Sequence, residues 1–385
     1  MKPLCYLIFY SLAFIGLPKT RAIAQKTPMA FERFSVEEGL PQASGYSLTQ
    51  DADGFIWMGT QDGLCRYDGY QFKIHRMQTD SGLMGNTMNY ILYDRQRRLW
   101  AGTPDGLSFK DHNQTHFSPF EPLKTNNIHQ LFEDKGGFLW VLTFDSGLFR
   151  ISPDRKSVRN YFIDTPFRTR MIDITETPDG QLWVAARTAL LKYNLENQSF
   201  TTYSTQHILG KTEREMTIRA VEADAEGHLW LGGFDNGVFV LDPKRFADPV
   251  ETRCIASLRK TYISEKNNPH SLAGNAISNL YAAKNGDMWI GTKDGLSICR
   301  RAENRLDTYH HRDDDPLSIP RNYVISLLED RQGLFWIGTS GGGVAKHDLV
   351  RQRFTHLRQL TTEANPKVDN MTYSIQQTAD GTLYF

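Results

Sequence analysis

Cysteine and net charge are what this sequence has least of. Its 385 residues include four cysteines, and Lys+Arg equals Asp+Glu at 44 each, so the formal net charge is zero. Cys65, Cys254 and Cys299, which follow a predicted leader, have neither CxxC nor CxxxC spacing. This pattern indicates neither a disulfide framework nor a zinc site. Without a basic excess to displace counterions, we expect no DNA or RNA partner.

Long apolar runs are confined to the N-terminus. Lys2 precedes an apolar run from Leu4 to Leu17, and Ala22-Ile23-Ala24 follows it. This order predicts a secretory signal over residues 1–24, with an uncleaved N-terminal anchor as the alternative. After residue 24 no run approaches the ~20 residues of a membrane span. We therefore expect a chain exported to the periplasm, attached to a membrane only through a segment downstream of this sequence.

Sequence motifs for catalysis are also missing, since no GxSxG, HExxH or spaced Cys/His pair occurs. Asp51–Gly54 hints at a calcium loop, but the twelfth position is Thr60 instead of glutamate. The glycine-rich Gly338–His347 lacks GxxxxGK[ST], and the His/Asp cluster in Tyr309–Pro316 is typical of a charged loop. We predict no catalytic residue, metal or cofactor, and leave open a triad assembled only by the fold.

Tryptophan, in contrast, recurs in a fixed context. All seven tryptophans sit in variants of DGFIWMGTQDGL, the segment that begins at Asp53. Glycine usually follows two residues later, and a second glycine lies in the next turn, where we expect positive φ. Each tryptophan is predicted to pack one blade against its neighbour. The seven positions are Trp57, Trp100, Trp140, Trp183, Trp230, Trp289 and Trp336.

Each repeat contains four short strand signals, and no 3.6-residue periodicity is present. In the seventh repeat these are Tyr323–Glu329, Leu334–Thr339, Val344–Asp348 and Phe354–Leu357. Repeats of four short strands predict an all-β fold, a β-propeller of four-stranded blades, in preference to a parallel β-helix.

The repeats also predict the domain organisation. We assign residues 1–24 to the signal peptide and 25–360 to the propeller, with seven full repeats. Residues 361–385 are the start of an eighth repeat, in which Tyr384 takes the tryptophan position. That repeat either completes the ring or begins a second propeller. The stretch Phe31–Phe34 resembles a fourth strand, so it offers a way to close the last blade with the start of the chain.

The repeats resemble those of the two-component regulator propeller family. The resemblance is carried by NAISNLYAAKNGDMWIGTKDGL and NYVISLLEDRQGLFWIGTSGGG, which begin at Asn275 and Asn322, and by the connectors NNPHSLAGN and DDDPLSIPRN. It covers roughly residues 30–385. It implies the periplasmic sensor of a bacterial signalling receptor whose kinase output lies outside this sequence.

Departures from the repeat predict where a ligand binds. Most repeats place Gln, Pro, Lys or Ser just after the GT-like pair, but three place Phe144, Arg187 and Phe234 there. Aromatic rings and an arginine suit stacking on a sugar and pairing with a sulfate or carboxylate. The alternative is drift or local packing, and by the same argument Asp145 and Asp235 are ordinary turn residues.

These features are compatible with three alternative functions. The first is a non-catalytic sensor that binds an extracellular small molecule or oligosaccharide, a glycan fragment for example, and signals to a membrane-spanning segment, with homodimer formation left open. The second is a secreted propeller lyase or hydrolase acting on polysaccharide, which requires a converging acid and base that the sequence does not reveal. The third is an exported scaffold or adhesin.

Overall fold

Strands make up nearly all the regular structure in the computed structural model, which describes residues 29–79, 82–161, 171–209, 216–246, 258–348, 376–377 and 383–384. Seven four-stranded antiparallel sheets form a ring, which confirms the predicted β-propeller. The first strands of adjacent blades contact one another around the ring axis, so they line the central channel. We call the four strands of a blade the inner, second, third and outer strands.

The chain enters the ring through β1 (Glu32–Phe34), and each of the next six blades takes four consecutive strands. Blade 1 consists of β2 (Ser47–Gln50), β3 (Ile56–Thr60), β4 (Gly63–Tyr67) and β5 (Phe72–His75). Blade 2 consists of β6 (Tyr90–Tyr93), β7 (Arg98–Thr103), β8 (Gly106–Asp111) and β9 (Ser118–Pro119). Blade 3 consists of β10 (Ile128–Glu133), β11 (Leu139–Thr143), β12 (Leu148–Ile151) and β13 (Val158–Tyr161). Blade 4 consists of β14 (Met171–Glu176), β15 (Leu182–Ala186), β16 (Ala189–Asn194) and β17 (Ser199–Ser204).

The remaining blades follow the same plan. Blade 5 consists of β18 (Ile218–Ala223), β19 (Leu229–Gly233), β20 (Val238–Leu241) and β21 (Leu258–Tyr262). Blade 6 consists of β22 (Ile277–Ala282), β23 (Met288–Thr292), β24 (Leu296–Arg300) and β25 (Arg305–Tyr309). Blade 7 consists of β26 (Val324–Glu329), β27 (Leu334–Thr339), β28 (Gly343–Asp348) and β1. The described helical segments are one short α-helix, α1 (Thr205–Leu209), and two 3-10 turns, Glu121–Leu123 and Pro243–Arg245.

The start of the chain closes the ring, as the resemblance of Phe31–Phe34 to an outer strand suggested. β1 pairs antiparallel with β28, with Glu32 opposite Lys346 and Phe34 opposite Val344. The Phe34 ring stacks on Trp336 at a centroid distance of 5.7 Å. β1 therefore occupies the outer position that we had assigned to Phe354–Leu357, and that segment lies outside the described residues. Pairing both ends of the propeller in one sheet gives blade 7 its fourth strand and covers the edge of β28.

The tryptophans pack between blades, as predicted. Trp140 of blade 3, for example, is fully buried in a cluster with Met171 and Val184 of blade 4. A buried aromatic ring of this size contributes about 3–5 kcal/mol, judged from large-to-small substitutions. The neighbouring glycine is needed for the same packing, since a Cβ on Gly232 would lie 2.4 Å from Ile277 Cγ2 of the next blade.

The sequence analysis missed one element of the repeat, an aspartate six residues before the tryptophan. It lies in the turn between the inner and second strands. One carboxylate oxygen accepts a hydrogen bond from the indole Nε1 at 2.7–2.9 Å, and the other accepts backbone N–H groups of the turn. This D-x5-W spacing is visible in five repeats and could have been found by alignment. The aspartates are Asp51, Asp94, Asp134, Asp224 and Asp330.

The strands β29 (Gln376–Gln377) and β30 (Leu383–Tyr384) pair antiparallel and belong to a unit separate from the propeller unit, Met29–Arg351. The assignment of an eighth repeat stays a prediction. The signal peptide, residues 1–24, and Cys254 lie outside the described residues. Among the helices that the structure describes, none combines the length and apolar character that a bilayer span requires.

Candidate functional site

The turns between second and third strands lie at the same end of the propeller as the starts of the inner strands. The backbone shows this directly: Phe144 N donates to Asn127 O at 3.0 Å, and Phe234 N donates to Thr217 O at 2.8 Å. The Arg187 carbonyl oxygen accepts a hydrogen bond from Ile218 N of the next blade at 2.8 Å. The three residues singled out by sequence therefore lie at the same end of the propeller, on the consecutive blades 3, 4 and 5.

Phe144 forms the blade 3 part of this surface. Its side chain is 49% exposed, and its ring centroid lies 4.5 Å from that of His129, on the adjacent inner strand. His129 Nε2 donates to the carbonyl oxygen of Ile172 at 3.0 Å. Burial, together with the nearby Arg219 charge, lowers the pKa of His129, which favours a neutral imidazole at neutral pH. The Phe144 ring thus packs against an uncharged imidazole, and about half of the side chain is exposed to solvent.

Phe234 forms the blade 5 part and is flanked by two cations. Its ring is 45% exposed, with Arg219 Cζ and Lys293 Nζ each 5.0 Å from the ring centroid. Arg219 comes from the inner strand of blade 5, whereas Lys293 occupies the corresponding turn of blade 6. A cation at this distance from an aromatic face is attracted by the ring quadrupole, worth about 0.5–1 kcal/mol at an exposed site.

Arg187 occupies the turn of blade 4, between the two phenylalanine-bearing blades, and is exposed. Within the part of the chain that the structure describes, no carboxylate forms an ion pair with Arg187, Arg219 or Lys293. The turns of blades 3 and 5 carry Asp145 and Asp235, whereas Thr188 follows Arg187. We call His129, Phe144, Arg187, Arg219, Phe234 and Lys293 the mouth surface. It combines exposed aromatic rings with cations that have no carboxylate partner in the described part of the chain.

Two carboxyl groups that the sequence analysis did not identify lie deeper, on the inner strands of blades 4 and 5. Asp173 accepts a hydrogen bond from Val221 N at 2.8 Å and one from Gln130 Nε2. Glu222 has weaker partners, with Thr175 Oγ1 at 3.4 Å and Ala282 N at 3.5 Å. Protein surrounds both groups, although each keeps partial access to the channel. An acidic residue inside an inner strand was the available sequence signal.

The environment of these carboxyl groups favours their protonated forms. Burial raises the pKa of Asp173 to about 6. Burial, with a further contribution from the Asp173 charge, raises the pKa of Glu222 to about 8. Desolvation destabilises a carboxylate, and a second negative charge adds to the effect. At neutral pH Glu222 is therefore mainly protonated, so the channel wall is less acidic than its composition indicates.

One group of potential metal ligands is present among the described residues: Asp224, Glu226 and His228, whose ligand atoms lie within 4.8 Å of one another. Their polar atoms already have protein partners. Asp224 Oδ2 accepts from Trp230 Nε1 at 2.9 Å and pairs with Arg301 at 3.0 Å. Glu226 also pairs with Arg301. A metal ion would have to displace this arginine, so the cluster fits a structural role.

The motifs that we interpreted as structural behave accordingly. Asp51 Oδ1 accepts hydrogen bonds from Asp53 N and Phe55 N, as expected for a turn. In the charged loop after blade 6, His311 pairs with the exposed Asp313, and the loop carbonyls of Asp315 and Ser318 bind the Arg33 guanidinium of β1. This loop therefore helps to hold the closing strand in place.

Comparison with known proteins identifies the repeat. The family model described as "Two component regulator propeller" matches residues 122–145, 271–294 and 318–341. A 53-residue segment is 43% identical to a protein named Histidine kinase P4 from Formosa agariphila, covering 14% of this chain and 4% of that protein.

Two solved structures from B. thetaiotaomicron are similar in fold. Both are extracellular domains described as parts of hybrid two component systems. BT3049 aligns with a TM-score of 0.67 at 22% identity over 83% of this chain, and BT4673 with 0.67 at 19% over 92%. The alignments cover 42% and 44% of those domains, so the present chain spans less than half of their length.

Proposed function

Because this chain carries two-component regulator propeller repeats, we propose that it is a ligand-sensing propeller of a bacterial two-component receptor, exported to the periplasm. The mouth surface binds the extracellular cue, and the bound state is passed to a kinase output carried by a longer receptor. The observation that carries this proposal is the placement of Phe144, Arg187 and Phe234 on one face, together with Arg219 and Lys293.

The chemistry of the mouth surface favours an anionic glycan fragment. Exposed phenylalanine rings offer apolar faces to the C–H groups of a sugar, and unpaired cations offer charge-assisted hydrogen bonds to a sulfate or carboxylate. The arginine guanidinium is suited to bidentate contact with either group. Asp235, beside Phe234, would disfavour a second negative charge on the outer edge of the ligand. We therefore propose one acidic group per ligand unit, located near Arg187.

Calorimetric titration of the purified chain with matched oligosaccharides tests the proposal. The set contains a sulfated oligosaccharide, a uronate-containing one and a neutral one with the same backbone. We expect the acidic ligands to bind at least tenfold more tightly than the neutral one, a difference of about 1.4 kcal/mol. Phe144→Ala and Phe234→Ala should each weaken binding by about tenfold, within the range for a lost ring contact.

Ser340→Ala is the matched control, because Ser340 occupies the same turn position in blade 7 and its N–H makes the same type of backbone hydrogen bond, to Tyr323 O at 2.9 Å. Affinity should be unchanged in this variant. Two results would contradict the mouth surface as the binding site: an equal loss of affinity in Ser340→Ala and in the phenylalanine variants, or an affinity that does not depend on ligand charge. If no glycan binds and a protein is captured through the same three residues, the scaffold function replaces the sensor function.

The second candidate, a polysaccharide lyase or hydrolase, is favoured by one observation only. Asp173 and Glu222 have raised pKa values and face the channel, and carboxyl groups with perturbed pKa values are common in active sites. Turnover of a polysaccharide by the purified chain that is lost in Glu222→Gln would promote this function. Ligand binding without turnover favours the sensor.

A further inference from the structure

Trp183 of blade 4 lacks the carboxylate that holds five of its counterparts. In five blades the indole Nε1 donates to an aspartate six residues earlier, whereas blade 4 has Thr177 and blade 6 has Ala283 at that position. Thr177 Oγ1 donates instead to Asp179 Oδ1 at 2.6 Å. The Trp183 side chain is 1% exposed, and within the described residues its Nε1 has no acceptor. A buried N–H without an acceptor costs about 1–3 kcal/mol.

A cavity of about 170 Å³ lies beside this position, on the face opposite the mouth surface. Its walls come from the inner-to-second-strand turns of blades 4 and 5 and from the third-to-outer-strand turn of blade 5. The lining includes Thr177, Asp179, Trp183, Lys192, Glu226 and Lys244. A cavity of about 150 Å³ accommodates benzene, so this one has room for a small organic ligand.

The equivalent junctions elsewhere show what is missing here. Between blades 2 and 3, Asp94 accepts from Trp100 Nε1 at 2.8 Å and pairs with Arg155 of the following blade at 2.8 Å. Between blades 5 and 6, Asp224 makes the same two contacts with Trp230 and Arg301, at 2.9 and 3.0 Å. Each of these two junctions thus combines a tryptophan N–H, a carboxylate and a cation from the next blade.

At the blade 4–5 junction the donor and the cation remain without a carboxylate at the aspartate position. Lys244 comes from the blade 5 turn that corresponds to those bearing Arg155 and Arg301, and Lys192 Nζ lies 5.9 Å from the Trp183 ring. Among the described residues neither lysine lies within ion-pair distance of a carboxylate. Asp179 accepts a hydrogen bond from Thr177, and the Lys244 charge also helps to lower its pKa, whereas Glu226 pairs with Arg301.

We propose that this cavity binds a small carboxylate, whose oxygen takes the place of the missing aspartate, accepting a hydrogen bond from Trp183 Nε1 and lying beside Lys244 and Lys192. The cavity volume limits the ligand to about the size of benzoate or one uronic acid. Binding would join the turns of blades 4 and 5, as Asp94 and Arg155 join blades 2 and 3. The site is independent of the mouth surface and of the function proposed for it.

The test is an NMR titration of the full chain labelled with ¹⁵N at the tryptophan indoles. Acetate, benzoate and glucuronate are the probes, benzamide and glucose are neutral controls, and sulfate is an inorganic anion control. We expect a saturable downfield shift of the Trp183 N–H signal with at least one carboxylate at millimolar concentration. Benzamide, glucose and sulfate should bind at least tenfold more weakly. Trp183→Phe assigns the signal by removing it.

Two variants at the same repeat position sharpen the result. Thr177→Asp supplies an internal carboxylate and should abolish the titration, whereas Ala283→Asp makes the same change in blade 6 and should leave the affinity unchanged. Lys244→Ala, on an exposed turn, should weaken binding at least fivefold without affecting folding. No shift of the Trp183 signal with any carboxylate would overturn the proposal, as would equal binding of sulfate or an unchanged affinity in Lys244→Ala.

Discussion

Blades 2 and 4 share one strand plan but differ in how they hold their tryptophan. The turn backbone is the same: Asp94 N donates to Arg98 O at 2.9 Å, and Thr177 N donates to Gln181 O at 3.0 Å. In blade 2 the aspartate also binds Trp100 and the buried Arg155. Blade 4 keeps the turn without these contacts. The turn can therefore form without the aspartate. In blade 2, Asp94 accepts a turn N–H from Arg98 and also joins the tryptophan to the next blade.

The inner strands of the two blades also differ in the residue that occupies one equivalent position. Tyr90 lies opposite Gly102 in blade 2, whereas Asp173 lies opposite Ala185 at the equivalent position of blade 4. Blade 2 thus places its carboxylate at the end of the propeller and pairs it with a cation. Blade 4 places one in the channel wall, with only hydrogen-bond donors as partners. The repeat tolerates polar changes wherever the backbone hydrogen bonds and the tryptophan packing are kept.

The largest expected effect is that of breaking the blade 2 junction. Asp94→Ala removes the acceptor of Trp100 Nε1 and leaves Arg155, whose side chain is 4% exposed, with Glu133 as its remaining carboxylate partner. We expect a loss of about 3 kcal/mol of unfolding free energy, typical for removing one partner of a buried ion pair. Chemical denaturation measures it. Thr177→Ala is the control in blade 4 and should cost less than about 1 kcal/mol; equal losses would contradict the comparison.

The next largest effect is expected in the pH dependence of stability, which the inner-strand carboxyl groups control. Because folding raises the pKa of Glu222 to about 8 from 4.5, the folded state binds more protons than the unfolded state, so stability falls as pH rises from about 4.5 to about 8. Asp173, with a pKa of about 6, adds a smaller loss between about pH 4 and 6.

Each pKa unit corresponds to about 1.4 kcal/mol, and contact with channel water reduces the effect, so we expect Glu222→Gln to be about 2 kcal/mol more stable than the parent at pH 9. The two chains should converge near pH 5. Thermal unfolding across this pH range measures the difference. A parent chain whose stability rises over the same interval would show that Glu222 is ionised in the fold.

A smaller gain is expected from giving blade 4 the blade 2 residue. Thr177→Asp supplies the acceptor for Trp183 Nε1 and for the turn N–H groups, and places a negative charge beside Lys244. The neighbouring Asp179 opposes part of this gain, so we expect about 1 kcal/mol of added stability. Ala283→Asp in blade 6 is a useful contrast, because Ala283 is buried beside the hydrophobic cluster of Trp289 and Phe335, where desolvation of a carboxylate offsets a new hydrogen bond. That variant should gain nothing.

The smallest effect on stability is expected at the mouth surface. Arg187→Gln installs the residue that blade 1 has at this turn, Gln61, and should change the unfolding free energy by less than about 0.5 kcal/mol. Binding of an acidic glycan should nevertheless weaken about tenfold, since a charge-assisted contact is lost. Denaturation and calorimetry on the same samples separate the two quantities. A large stability loss would assign Arg187 to packing.

Much of the fold could be predicted from sequence because the repeat carries local information. The seventh repeat illustrates this: strands predicted at Tyr323–Glu329, Leu334–Thr339 and Val344–Asp348 are observed at Val324–Glu329, Leu334–Thr339 and Gly343–Asp348. Its outer strand was assigned to Phe354–Leu357, whose position in the sheet β1 takes. Strand propensity identifies both segments equally well, and the choice between them depends on which one the closed ring brings beside β28.

The candidate site was likewise predicted only in part from the sequence. Phe144, Arg187 and Phe234 stood out because they break a repeated turn, so their common face could be predicted from the repeat. Their partners His129, Arg219 and Lys293 could not be found in that way, since they come from other strands and from the next blade. Asp173 and Glu222 were missed for a related reason: their raised pKa values arise from burial by neighbouring blades.

The sequence by itself determined the seven tryptophan repeats, most of their strands and the packing role of tryptophan and glycine, because these depend on spacing within one repeat. Only the tertiary structure decided which strand closes the ring, which side chains meet at the mouth surface, and that Trp183 faces a cavity instead of a carboxylate. These features depend on contacts between residues from different repeats, and such contacts exist only once the blades are arranged around a common axis.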